Sequence, residues 1–234
     1  MFSESADGTL FAEIGTLKNN NARLTAAGLL FFCLTLFSGV IQAGDWVKAK
    51  AAIDGDTLLL TDGRFVRYIG INAPEIAHHD KPGEPFGKAS AAYNAHLIGN
   101  GRVQLEYDRQ KYDHYGRLLA YVYNTEGVLV NRAMVAAGMA YCLYKKPNLR
   151  YTKALLEDQI KAMNASKGIW PKLGQTGGGV LGNRRSRRFH LPDCRNARKM
   201  SPKNKIHFAT QWQAFRKGYS PGKACLGGMP LEKR

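Results

Sequence analysis

The chain has 234 residues, is 44% hydrophobic and carries a formal net charge of +16. That length suits one medium domain, or one domain with a small appendage, and the hydrophobic content with ten phenylalanines excludes a chain without a core. A soluble chain this basic meets a polyanion such as nucleic acid, an anionic membrane or a glycan, the alternative being a basic protein that binds none of these.

In chain order, residues 24–43 (LTAAGLLFFCLTLFSGVIQA) are uncharged and follow Lys18 and Arg23. A basic flank, an apolar run and a small residue before Gly44 predict a signal peptide cut after Ala43, hence a secreted or periplasmic protein. The rival reading is an uncleaved N-terminal anchor, because ~20 apolar residues can span a bilayer. The segment AIDGDTLLLTDGRFVRYIGI (52–71) reads as two strands joined at Asp62-Gly63, a hairpin signal. Residues 77–87 are polar and turn-rich, which predicts a loop; 88–98 predict a helix and 103–109 a strand. Strands at 118–124 and 128–130 flank Thr125-Glu126-Gly127. Helices follow at 131–138, with Gly138 as C-cap, and at 151–166. Five strands interleaved with three helices predict an α+β protein built on an OB-type five-stranded barrel over 44–173.

Residues 174–183 read as a Gly-rich linker, and 184–234 as a small basic accessory domain with a candidate helix at 211–218. The charge is concentrated there: residues 180–234 hold 14 Lys/Arg against Asp193 and Glu232. Cys142, in an apolar run, reads as a buried thiol. Export would permit a disulfide between Cys194 and Cys225.

Three short motifs carry chemistry. Arg67 lies in VRYIGINAPE (66–75) on the same strand face as Ile69 and Ile71. A guanidinium there costs several kcal/mol unless it is paired or faces a cleft, so it is a structural ion pair or an anion clamp. Asp54 and Asp56 of IDGDT fall on one strand face, suited to a hard cation; a tight turn is the alternative. Asp113 and Gly116 of KYDHYGR (111–117) predict a turn that leads into a strand at Arg117.

The order D-G-D-T, then Arg67 and N-A-P-E, then D-x-Y-G-R resembles the thermonuclease family from about Ile53 to Trp170. The resemblance implies an OB-type barrel with three helices and calcium-dependent, sugar-non-specific cleavage of DNA and RNA to 3′-phosphate ends. By position it implies Arg67 and Arg117 as catalytic arginines and Glu75 as general base. It also implies Asp56 and the Ala73 carbonyl as ligands of one Ca²⁺, with Asp54 supporting the site. Asn72 stands where the best-known member has a second aspartate ligand. An amide oxygen can ligate calcium, but one negative charge is missing, so weaker binding is expected. Asp113, in the turn before Arg117, is expected to lie just behind the residues that touch metal or substrate.

Tyr144 lies in the segment that carries nucleotide-contacting tyrosines in the family, with the register offset by one residue at Lys145-Lys146. Tyr112 and Tyr115 read as core or rim packing. Lys81 could touch phosphate or be merely solvated, and His78-His79 could bind metal or simply be exposed. The tail resembles an Ada-type metal-binding domain through F-H-L-P-D-C (189–194) and G-Y-S-P-G-K-A-C (218–225). A further cysteine near Gly222 is absent, leaving His190, Cys194 and Cys225, which puts tetrahedral zinc in doubt. A Cys194–Cys225 disulfide is the alternative. Arg184, Arg185, Arg187 and Arg188 then read as an auxiliary, salt-sensitive grip on nucleic acid. The expected partners are DNA and RNA, with no stable protein partner implied and a monomer expected. The rival readings are a non-catalytic nucleic-acid-binding module on the same fold, and a surface protein whose tail binds anionic lipid or glycan.

Overall fold

The computed structural model describes residues 45–77, 82–173 and 178–222. The apolar run at 24–43, His78, His79, Lys81 and Cys225 lie outside the described residues. Strands β1 (Asp45–Ala52), β2 (Thr57–Leu60), β3 (Phe65–Tyr68), β5 (Arg102–Glu106) and β6 (Leu118–Tyr123) close a barrel in the order β1-β2-β3-β6-β5. This is the five-stranded α+β barrel the sequence predicts. All neighbours pair antiparallel except β3 and β6, which run parallel.

Alternation builds the barrel interior. Leu58, Leu60, Val66, Tyr68, Val103, Leu105, Leu118, Ala120 and Val122 point inward and share one apolar core. Burying each large aliphatic side chain contributes roughly 1.5–3 kcal/mol. Three helices cover the barrel: α1 (Gly87–Ile98), α2 (Val130–Ala136) and α3 (Thr152–Asn164). Helix α1 buries Ser90, Asn94 and Ile98 at helical spacing, so its inner face is partly polar. Its polar groups are used: Ser90 Oγ donates to Met139 O (2.7 Å) and Asn94 Nδ2 to Asp54 O (2.8 Å). The expected strand at 128–130 is reduced to a single bridge, Tyr123 to Leu129, because Val130 already begins α2.

The expected strand from Val66 to Ile71 is also broken. It ends at Tyr68, turns at Gly70 and resumes as β4 (Ile71–Asn72), which pairs with β7 (Tyr141–Cys142). Gly70 has φ +80, and a Cβ there would lie 2.6 Å from Leu155 Cδ1, so the turn requires glycine. Ile69 therefore packs outside the barrel with Leu119 and Tyr121, whereas Ile71 joins the main core.

The C-terminal part departs most from expectation. Val180–Asn183 is not linker but strand β8, mostly buried, in a four-stranded sheet ordered β10-β8-β9-β11. Its partners are β9 (Arg188–His190), β10 (Lys205–Phe208) and β11 (Ser220–Pro221). Short helices α4 (Arg195–Arg198) and α5 (Gln211–Arg216) complete it. Nor is this sheet a separate accessory domain. Phe189, Phe208, Phe215 and Tyr219 share one apolar cluster with Tyr141, Ala162, Met163 and Trp170. Gln159, fully buried on α3, accepts from Cys142 N (2.7 Å) and donates to Phe215 O (2.7 Å), joining β7 to α5. The described residues form one compact unit. Cys142 is a free, buried thiol, as expected.

Candidate active site

The parallel β3–β6 pairing brings the two arginines together. Arg67 is registered against Leu119, and Arg117 lies two residues before Leu119, so alternation puts both side chains on the outer face. Arg67 is almost wholly enclosed. Its Nη1 donates to Tyr68 O (2.9 Å) and Ile71 O (3.0 Å) across the Gly70 turn, and its Nη2 to Asn72 Oδ1 (3.0 Å). The same Nη2 lies 2.9 Å from Asp56 Oδ2. Arg117 is more open, and Asp113 holds it: Oδ1 accepts the Arg117 and Tyr115 N–H groups (3.0 Å each), and Oδ2 accepts from Nε (2.8 Å). Burial favours the protonated Asp113, but the Arg117 N–H and guanidinium outweigh it and hold the carboxyl below its usual range.

Asp54 and Asp56 do not sit on a strand face. Asp54–Asp56 is a bend between β1 and β2, which fits the tight-turn reading. Gly55 allows that bend to press on the loop after β4: a Cβ there would lie 2.5 Å from Ala73 Cβ and 2.7 Å from Ser90 Cβ. Asp54 Oδ1 accepts from Asp56 N (2.8 Å), and Asp56 Oδ2 accepts from Ala73 N (2.7 Å). Asp56 is buried, and burial pushes its pKa up to about 6. Asp54's charge adds to the rise, while Arg67 and the Ala73 N–H work against it. Asn72 completes the cluster by donating from Nδ2 to Ala73 O (3.1 Å) and Tyr141 Oη (3.0 Å). The structure thus links Asp54, Asp56, Arg67, Asn72 and Ala73 in one hydrogen-bonded cluster. The donor set is all oxygen, and its two carboxylates outnumber the single adjacent guanidinium. Among the described residues, no three His, Cys, Asp or Glu side chains meet in a possible metal-holding group.

Arg67, Asn72, Asp113 and Arg117 line a cleft of about 800 Å³, together with Tyr141, Tyr144, Arg185 and Arg188. Glu75 is not among its wall residues. It follows Pro74 in the extended segment after β4, half-buried, with its N–H donating to Glu84 Oε2 (3.0 Å) and its carbonyl accepting from Glu84 N (2.8 Å). Tyr115 also lines the cleft and is 74% exposed; Tyr112 is 50% exposed, so neither is a core residue. Arg184 and Arg187 lie off the cleft wall. Arg187 sits over the rings of Tyr219 and Tyr144, 5.0 and 6.0 Å from their centroids, and donates to Lys217 O. His190 is buried, its ring faced by Gly222 and its pKa lowered by burial and Arg188. Cys194 is disulfide-bonded, with Sγ 3.8 Å from His190 Nδ1; its partner lies outside the described residues.

Sequence reading missed Tyr141. It stands opposite Asn72 in the β4–β7 ribbon, and its ring packs against Phe215 (centroids 5.6 Å apart), so it links the acid cluster to the C-terminal sheet. Burial raises its pKa well above the usual phenol range, so it stays a hydroxyl. The only hint lay in the apolar AYC run, which suggested core.

Residues 65–172 match the family model described as "Staphylococcal nuclease homologue". The chain is 34% identical over 126 residues to a thermonuclease of Staphylococcus hyicus, covering 53% of this chain and 74% of that protein. It is 35% identical over 132 residues to the thermonuclease of Staphylococcus intermedius (55% and 78%). It is also 35% identical over 133 residues to endonuclease YncB of Bacillus subtilis (55% and 63%). With the family match taking in Arg67, Glu75 and Arg117, and about three quarters of each thermonuclease covered at 34–35% identity, the chain belongs to the thermonuclease family of nucleases.

Proposed function

We propose that this chain is a calcium-dependent, sugar-non-specific endonuclease that hydrolyses DNA and RNA phosphodiester bonds to 3′-phosphate products. One observation carries this reading: Arg67 and Arg117, on neighbouring parallel strands and each held by its own carboxylate, face a single cleft beside an oxygen-rich cluster. Water attack on a phosphodiester develops extra negative charge on the equatorial oxygens, and two pre-positioned guanidinium groups stabilise that charge more than they stabilise the substrate. The family pattern gives Glu75, three residues beyond Asn72 though not on the cleft wall, the role of general base that takes a proton from the attacking water. The new P–O bond forms as the bond to the 5′-oxygen breaks, and that oxygen leaves as an alcohol once protonated. Asp113 keeps Arg117 aimed, and Asp54 supports Asp56.

Asp56, Asn72 and the Ala73 carbonyl offer the oxygen donors a hard divalent cation prefers, with Asp54 supporting Asp56 by accepting its N–H. The excess of carboxylate over guanidinium at this buried point supports the fit. When bound, calcium supplies divalent positive charge to the phosphate. The uncharged run at 24–43 supports export to the periplasm or medium.

The test is a cleavage assay on DNA and RNA with calcium or EGTA. Glu75→Gln and Arg117→Ala are each expected to lower kcat by about 10²–10³. Full activity in either variant would remove that residue from the mechanism, and undiminished cutting in EGTA would remove calcium.

A further inference from the structure

The C-terminal sheet does not stand apart from the barrel; its β8–β9 hairpin forms part of the cleft that holds Arg67 and Arg117. Arg188, at the start of β9, is partly buried. Its Nη1 donates to Ser220 Oγ, and among the described residues no carboxylate forms an ion pair with it. Arg67 and Arg117, by contrast, each have an aspartate. Arg67 is near enough to Arg188 to repel its charge, and Tyr141 stands beside both. A desolvated guanidinium without a counter-charge, beside another, is a costly arrangement that an anion in the cleft would relieve. Arg185 lies on the same wall, on the β8–β9 turn that Asn183 Oδ1 fixes by accepting the Arg185 and Ser186 N–H groups (2.9 and 3.1 Å).

We propose that this hairpin is one wall of the substrate cleft, and that Arg188 and Arg185 bind phosphates of the nucleic-acid strand that flank the scissile one. The inference rests on the nuclease reading above for its substrate class. It replaces the separate, tethered grip expected from sequence with a composite site, held rigid by the Gln159 bridge and the aromatic cluster around Phe215. Arginine suits the task because its planar fork matches two phosphate oxygens.

The experiment measures binding of a fluorescein-labelled oligothymidine by anisotropy in EGTA, across a range of NaCl, with the full chain and its Arg188→Gln, Arg185→Gln and Lys203→Gln variants. Lys203 is exposed and off the cleft wall, so its loss changes net charge equally without touching the site. Each arginine variant is expected to bind about tenfold more weakly, with the slope of log affinity on log salt shallower by about 0.7. Lys203→Gln should keep the wild-type slope. Equal slopes in the wild type and every folded arginine variant, or an equal change in Lys203→Gln, would overturn the inference. If Arg188→Gln does not fold, Arg185→Gln on the exposed turn decides. A chain that binds in this arginine-dependent way yet never cuts would overturn the nuclease reading alone; one that cuts with unaltered slopes would overturn only this inference.

Discussion

Replacing Asn72 with Asp tests the acid cluster from two sides at once. Asn72 is 6% exposed, accepts from Arg67 through Oδ1 and donates from Nδ2 to Ala73 O and Tyr141 Oη. In Asn72→Asp the second oxygen replaces Nδ2. Tyr141 can turn its hydroxyl to donate, which recovers one bond. Ala73 O loses its donor and faces a carboxylate, a buried mismatch worth about 1–3 kcal/mol. Stronger attraction to Arg67 returns part of this, so the cation-free protein should lose about 1 kcal/mol. That corresponds to roughly 2–4 °C in Tm for a domain of this size. With calcium the sign reverses. A unit charge about 4 Å from a cation at an effective dielectric near 20 is worth up to about 4 kcal/mol per unit of cation charge. Most of this is spent on desolvation. A residual ~1.4 kcal/mol would tighten calcium binding about tenfold. Thermal unfolding in EGTA and along a calcium titration reads both effects, and the calcium midpoint of cleavage reads the second independently. If Asn72→Asp lowers Tm in EGTA but leaves both calcium midpoints unchanged, Asn72 is no ligand and the assignment of this cluster to calcium fails.

Asp113→Asn should leave Arg117 poorly aimed, lowering kcat about tenfold or more while KM changes less; kinetics that match wild type would show that Arg117 needs no such anchor. Gln159→Leu removes the partners of Cys142 N and Phe215 O in a fully buried place. About 2–5 kcal/mol of stability should be lost in urea unfolding, whereas an unchanged midpoint would mean that the C-terminal sheet is held by its aromatic cluster alone. Asp56 gives a pH signature. Its folded pKa is raised to about 6 from 3.8, so its contribution is fully present below about pH 3.8 and is lost as pH rises through 6. The calcium-induced rise in Tm should therefore grow between pH 5 and 7, and a rise independent of pH would show that Asp56 does not meet the cation.

Much of this protein is written locally. The Asp62-Gly63 hairpin, the alternation of β5 and the three helices follow from periods and turn residues that need no distant partner. The same holds for the order of Asp54, Asp56, Arg67, Glu75 and Arg117, which is a one-dimensional pattern and carries the family resemblance with it. What sequence could not supply is who meets whom. Only closure of the barrel places Arg67 against Asp56, and only the turn at Gly70 sends Asn72 toward Tyr141. The glycines around residue 178 read as a linker because glycine is locally permissive, yet β8 begins at Val180, which is buried in one cluster with Ala162 and Met163 of α3 and Tyr141 of β7. Burial of that kind depends on surfaces far apart in the chain, which no local propensity records. For the same reason the arginines of 184–188 look alike in sequence, and only the folded cleft separates Arg185 and Arg188, on its wall, from Arg184 and Arg187, away from it.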